Sequence, residues 1–315
     1  MIKKNITQIN TNNMKTKNFI FALMLVSLVS YSQQDAQYTQ YMYNTINVNP
    51  AYAGSRGVMS IFGLHRTQWV GLDGAPVTNS LSINSPIENS NLGVGFSFVN
   101  DRLGPTDENN ISIDLSYTIK TSETYKLSFG VKGSADLFSF DATKLNIYTA
   151  DNYLQSYNNK FSPNIGAGAY FHSDKSYFGL SVPNFFETKR YSDNDYVVYK
   201  EKMNFYLIGG YVFDLNSNLK FKPAFLGKMV QGAPLQLDVS ANFLINEKFV
   251  LGAAWRWSAA ASFMAGFQVN DGLYIGYGYD LDTNKLAHYN SGSHEIFLRF
   301  ELFKRHDRIV SPRFF

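Results

Sequence analysis

The residues able to do chemistry in this 315-residue chain are scattered. Five histidines occur, His65, His172, His288, His294 and His306, and none falls in HExxH or in any tight ligand spacing. Cysteine is absent, which removes thiolate metal sites, disulfides and a Cys nucleophile. No G-x-S-x-G elbow exists, and Gly95-Phe96-Ser97-Phe98 fails the pattern. Ser293-His294 reads as the polar start of a strand rather than as part of a triad, which is recognised by geometry. Gly93–Gly95 and Gly276–Gly278 lie inside alternating segments, not in strand-to-helix turns, so they are not phosphate loops. No catalytic, cofactor-binding or metal-binding residue is assigned, and no cofactor is expected.

The remaining chemically capable residues are charges embedded in strands. Ile111 to Lys120 places an apolar residue at every odd position and a polar one at every even position. The same period of two runs through 125–132, 235–243 and 295–302, and a period of 3.6 fits none of them. Strands are expected at about 57–70, 75–86, 91–100, 108–121, 124–138, 160–173, 176–183, 201–215, 218–230, 233–245, 248–258, 259–270, 272–281 and 292–304. That is an even number, about fourteen, and most are long enough to cross a bilayer when tilted. Every other connection is minimal and polar, such as Ser122-Glu123, Asp174-Lys175, Asn216-Ser217, Asn246-Glu247 and Asn270-Asp271. The connections between them include the long ones, 139–159, 184–200 and 282–291. Short turns on one rim and long loops on the other are the pattern of a transmembrane antiparallel β-barrel with both termini periplasmic.

In such a barrel the apolar member of each pair faces lipid. Asp114, Lys126, Lys132, Arg256, Arg299 and Glu301 then face the lumen, as do Lys220, Lys222, Lys228 and Asp238, with both signs able to pair inside. Glycines at 166–168, 209–210 and 276–278 leave space inside or allow curvature. Residues 33–56 precede the first strand, are too irregular to be one, and are the candidate for plugging or lining the periplasmic mouth. Trp69, Trp255 and Trp257 lie near strand ends, where an aromatic girdle belongs.

Composition agrees with this placement. Aromatic residues make up 16% of the chain and charged residues only 17%, against about 25% charged in soluble domains. The formal charge of +3 comes from the first 32 residues, which carry Lys3, Lys4, Lys15 and Lys17 and no acid. Without them the chain has 24 basic and 25 acidic residues, which argues against a nucleic-acid partner. Residues 1–32 read as a signal peptide, with a basic run from Met14 (a possible true start), the apolar stretch Phe19–Val29 and a small-x-small site at Ser30-Tyr31-Ser32. The domains expected are therefore the signal peptide 1–32, the segment 33–56, the outer-membrane barrel 57–304 and a basic periplasmic tail 305–315.

One stretch is more particular. Gln37-Tyr38-Thr39-Gln40-Tyr41-Met42-Tyr43-Asn44-Thr45-Ile46-Asn47-Val48-Asn49-Pro50-Ala51-Tyr52-Ala53-Gly54 resembles the opening signature of the PorP/SprF family of outer-membrane proteins. Those proteins belong to the type IX secretion and gliding system of Bacteroidetes. His65-Arg66-Thr67-Gln68-Trp69, Gly74-Ala75-Pro76, Gly93-Val94-Gly95, Asn100-Asp101, Gly104-Pro105 and the terminal Ser311-Pro312-Arg313-Phe314-Phe315 are similar to that family too. The resemblance implies a non-enzymatic barrel that binds, anchors or aids secretion of a large surface adhesin through the adhesin's type B C-terminal domain. It also implies association with periplasmic components of the secretion machine.

On this reading Tyr38, Tyr41, Tyr43 and Tyr52 wedge the inner segment into the lumen around a rigid turn at Asn49-Pro50-Ala51. Tyr153, Tyr157 and Tyr196 lie in the long loops that would grip the cargo. The alternatives are an outer-membrane transport channel for a hydrophobic or small substrate and, third, a lipid hydrolase.

Overall fold

The computed structural model describes residues 42–145, 156–189 and 200–302. Strands β1 (Met59–Thr67), β2 (Val77–Pro86), β3 (Leu92–Leu103), β4 (Thr106–Lys120), β5 (Lys126–Phe140), β6 (Tyr157–His172) and β7 (Ser176–Val182) build one half of a sheet. Strands β10 (Asn204–Tyr211), β11 (Phe213–Asn216), β12 (Leu219–Val230), β13 (Gln236–Ile245), β14 (Phe249–Arg256), β15 (Ala260–Gln268), β16 (Leu273–Asp282) and β17 (Ser293–Leu302) build the other. Neighbours pair antiparallel, β7 pairs β10, and β1 pairs β17, so the sheet closes on itself. Because β10 and β11 both pair with β12, they form one span, and the barrel has fourteen. Strands β8 (Thr188–Lys189) and β9 (Lys200–Glu201) form a separate two-stranded sheet within the connection from β7 to β10.

The faces invert the rule for soluble proteins. On β4, Ile113 is 64% exposed while its neighbour Asp114 is fully buried. Isoleucine outside and aspartate inside is stable only if lipid is the outer solvent and the inner wall is polar. Outward Ile111, Ile113, Leu115, Tyr117 and Ile119 form one apolar column. Eight residue steps give about 27 Å along the strand, or about 21 Å along the barrel normal at a tilt near 40°, close to the height of a membrane band. Replacing Ile113 by Arg is expected to lower stability by about 2–4 kcal/mol in lipid, read from urea unfolding in liposomes. Leu115→Val should stay within about 1.5 kcal/mol.

Two details depart from the sequence expectation. The polar stretch 101–107, expected as a loop, is a continuation of β3 and β4 joined by the two-residue turn Gly104-Pro105, with Gly104 at φ +54°. Above the hydrocarbon both strand faces are wet, so Asp101, Asp107, Glu108 and Asn109 lose the alternation while still pairing. The strand expected over 201–215 is broken at Val212, which is buried and donates its N–H to the Lys175 carbonyl at 2.7 Å. Both sides of the break still pair with β12. All three tryptophans sit at the long-loop rim, Trp69 after β1 and Trp255 and Trp257 at the end of β14.

Candidate functional site

The site is the barrel interior and the segment that crosses it. Residues 42–56 enter from the short-turn rim, before β1, and pack against inward-facing positions of strands around the barrel. The backbone forms a four-residue helix, α1 (Thr45–Val48), and then a tight turn at Pro50–Tyr52. Asn49 between them is extended, at φ −139° and ψ 109°, the conformation a following proline imposes. The Asn49 side chain accepts a hydrogen bond from Ala51 N–H at 3.0 Å and donates to the Ala169 carbonyl on β6 at 3.0 Å. One residue thus caps the turn and ties it to the wall.

The wall supplies donors to the segment's otherwise unpaired carbonyls. Ser181 on β7 donates to Val48 O at 2.6 Å, Ser116 on β4 to Ala53 O at 2.7 Å, and Lys132 on β5 to Ile46 O at 3.4 Å. On β2, Asn44 and Asn47 donate to Ser80 at 3.2 and 3.1 Å, and Ser82 donates to Asn44 at 2.9 Å. Buried backbone needs such partners, because each unmade bond costs about 1–3 kcal/mol.

Close approach requires glycine at Gly130. A Cβ there would stand 2.3 Å from Ala51 N and 2.4 Å from the Pro50 carbonyl carbon, both of them backbone. Its inward neighbours Ser128 and Lys132 keep side chains because the turn passes between them.

Apolar contacts complete the packing. Met42, Tyr43, Ile46, Ala51 and Tyr52 are each 5% exposed or less and join inward Phe62, Leu64, Ile208, Leu226, Met264 and Phe297 in one cluster. The Tyr43 ring stacks on Tyr274 at 5.5 Å between centroids and tilts against Phe297 at 4.8 Å, and its hydroxyl lies 3.2 Å from that of Tyr274. Burial pushes the Tyr43 phenol above its ordinary pKa, so it remains a neutral hydrogen-bonding group. Full burial of a large apolar side chain contributes about 1.5–3 kcal/mol, so several of them hold the segment firmly.

Ion pairs flank the segment at both ends. Arg56, which ends it, bonds Glu301, and Glu301 also pairs with Arg299 at 3.4 Å. Arg299 lies 5.0 Å from the Tyr274 ring centroid and Lys222 lies 5.3 Å from that of Tyr43, both within cation–π range. In mid-wall Lys132 pairs with Asp114 at 3.3 Å. Toward the long-loop rim Arg256 pairs with Asp238 at 3.0 Å, and Arg66 bridges Asp280 at 2.7 Å and Glu295 at 3.1 Å.

The structure therefore brings Tyr43, Asn49, Pro50, Ala51 and Tyr52 together inside the barrel, with Asp114, Lys132, Arg256, Arg299 and Glu301 on the inner wall. Lys126 shares the inward register but lies at the short-turn mouth and is exposed. Tyr157 begins β6 at the long-loop rim. Tyr38, Tyr41, Tyr153 and Tyr196 lie outside the described residues. Asp280 and Glu295 are not singled out by the sequence, Arg66 enters only within the family-like stretch His65–Trp69, and the serines that hold the segment carry no sequence signal. Phe297 carried a readable signal, an aromatic in the polar register of its strand. Among the described residues no group of three or more His, Asp or Glu is placed to hold a metal ion.

A family model, type IX secretion system membrane protein PorP/SprF, matches residues 30–300. The chain belongs to this family. The PorP/SprF match begins before the inner segment and ends in β17, so it spans both the segment and the barrel. Similar solved structures include the Acinetobacter baumannii outer membrane protein Omp33, with 7% identity, coverage of 78% of this chain and 98% of that one, and a TM-score of 0.48. The CymD monoaromatic hydrocarbon channel has 11% identity, coverage of 84% and 94%, and a TM-score of 0.49. A Pseudomonas aeruginosa FadL homologue has 12% identity, coverage of 78% and 89%, and a TM-score of 0.40. No curated protein matches the chain. The protein is an outer-membrane β-barrel of a type IX secretion family.

Proposed function

We propose that this PorP/SprF barrel is a closed scaffold that holds a large secreted adhesin at the cell surface, and that it acts without catalysis. The observation that carries the reading is the interior segment. Residues 42–56 lie inside the barrel with buried side chains and bond to strands around it, which supports a closed lumen. With the lumen closed by this segment, the long-loop rim is the surface that works. The signal peptide 1–32 directs export, and both termini lie in the periplasm, where the tail 305–315 can meet other components of the secretion machine.

The loops 139–159 and 184–200 contact the type B C-terminal domain of the cargo. Tyrosine offers large contact area there at low side-chain entropy cost. Replacing Tyr153, Tyr157 and Tyr196 together by Ser is expected to shift most of the adhesin from cells to medium, measured by immunoblotting the two fractions. Full retention would remove these loops as the grip. Solute-dependent swelling of liposomes containing the intact chain would instead make the barrel a transport channel.

A further inference from the structure

We infer that the lumen is charge-polarised about its inner segment, so that the long-loop vestibule collects cations and the short-turn vestibule collects anions. The inference follows from strand register. Toward the long-loop rim the inward carboxylates among the described residues are Asp101, Glu108, Asp136, Asp238, Asp280 and Glu295, with Asp282 at the lip. The inward cations at that end are Arg66, Lys160, Lys228 and Arg256, with Lys202 at the lip. Toward the short-turn rim the inward cations are Lys120, Lys126, Lys220, Lys222 and Arg299, joined by Arg56, against Glu301 and Asp214, which faces Lys220 in register, with Glu247 reaching Lys220 from the turn. Asp114 and Lys132 in mid-wall cancel. The two ends therefore carry net charges of opposite sign.

The separation is built at particular places. Lys120 and Lys126 stand directly opposite each other on β4 and β5, a like-charge pairing that costs stability in an ordinary sheet. Between the two ends the segment from Met42 to Ser55 carries no charged residue, so nothing there neutralises either vestibule. Rings of fixed charge in a narrow, low-dielectric passage select counter-ions, and the field reaches about 8–10 Å at physiological salt. The ligands expected are small cations on the long-loop side and carboxylate- or phosphate-bearing anions on the short-turn side.

The absence of cysteine makes the test direct. Thr106 and Thr118 are half-buried, inward positions at opposite ends of β4. Single variants Thr106→Cys and Thr118→Cys of the full chain, in nanodiscs, are reacted with a cationic and with an anionic methanethiosulfonate. Each rate is divided by that of a small free thiol. At low salt the cation-to-anion rate ratio should be at least about tenfold higher at position 106 than at 118, and it should collapse near 1 M salt. Glu108→Gln with Asp101→Asn should lower the bias at 106, and Lys120→Gln with Lys126→Gln should lower it at 118. Gln236→Cys and Gln268→Cys, inward at the same two ends, serve if either threonine variant fails to fold. Equal ratios at both ends, or a bias indifferent to salt, would overturn the inference. Neither outcome depends on whether the barrel grips cargo.

Discussion

A barrel carrying Gly130→Ala is expected to conduct ions steadily in a planar bilayer, where the native chain is expected to stay closed. The added methyl has no room, since its nearest neighbours are the backbone atoms of Pro50 and Ala51 at 2.3–2.5 Å. A side chain can rotate away from such an overlap, but a backbone turn fixed by proline and by the Asn49 bonds can only move as a body. Lifting the turn breaks the Asn49 bond to β6 and weakens the Ser116 and Ser181 bonds on either side. Overpacking of this kind costs about 1–3 kcal/mol, within reach of unseating the segment while the strands stay paired.

Gly133→Ala is the internal control. It lies on the same strand, faces outward and has no atom within 4 Å of its would-be Cβ, so it should remain closed. Deleting 33–52 should give the same open state by a second route. If Gly130→Ala folds and stays closed, the segment does not seal the lumen.

The second large effect is expected at Arg66. Its guanidinium is 3% exposed and holds two carboxylates, Asp280 and Glu295, themselves 4% and 0% exposed. Removing the only cation of a buried trio leaves two like charges facing each other without solvent. Arg66→Leu is expected to cost about 3–5 kcal/mol, measured by urea unfolding in detergent with tryptophan fluorescence. The triple variant Arg66→Leu, Asp280→Asn, Glu295→Gln removes the charges together and should recover most of that loss. A single variant as stable as the native barrel would mean that water or ions reach these carboxylates freely.

How far the sequence reached can be judged from particular residues. The fourteen spans were legible because lipid outside and polar wall inside impose a strict alternation, as at Ile113 and Asp114. That signal faded at 101–107, where both faces meet water, and the loop expected there turned out to be strand. Pairing of charges inside was legible in kind, but the Arg66 trio was not. Its members lie 214 and 229 positions apart, and they meet because β1 closes against β17. The inner segment has no periodicity, so its path could not be read from pattern. What betrayed it were inward positions that break the polar rule: Phe62, Leu64 and Phe297 as aromatic or aliphatic partners, and Gly130 as a gap.

Membership of the PorP/SprF family and the buried inner segment support the proposed scaffold over a conduit. The measurement that tests this most directly is fractionation of cells lacking the barrel, with immunoblotting for the surface adhesin that carries a type B C-terminal domain. Loss of the adhesin from the cell surface, into the medium or held inside, with recovery when the native chain is restored, is the predicted result. An adhesin present on the surface in unchanged amount without the barrel would contradict it.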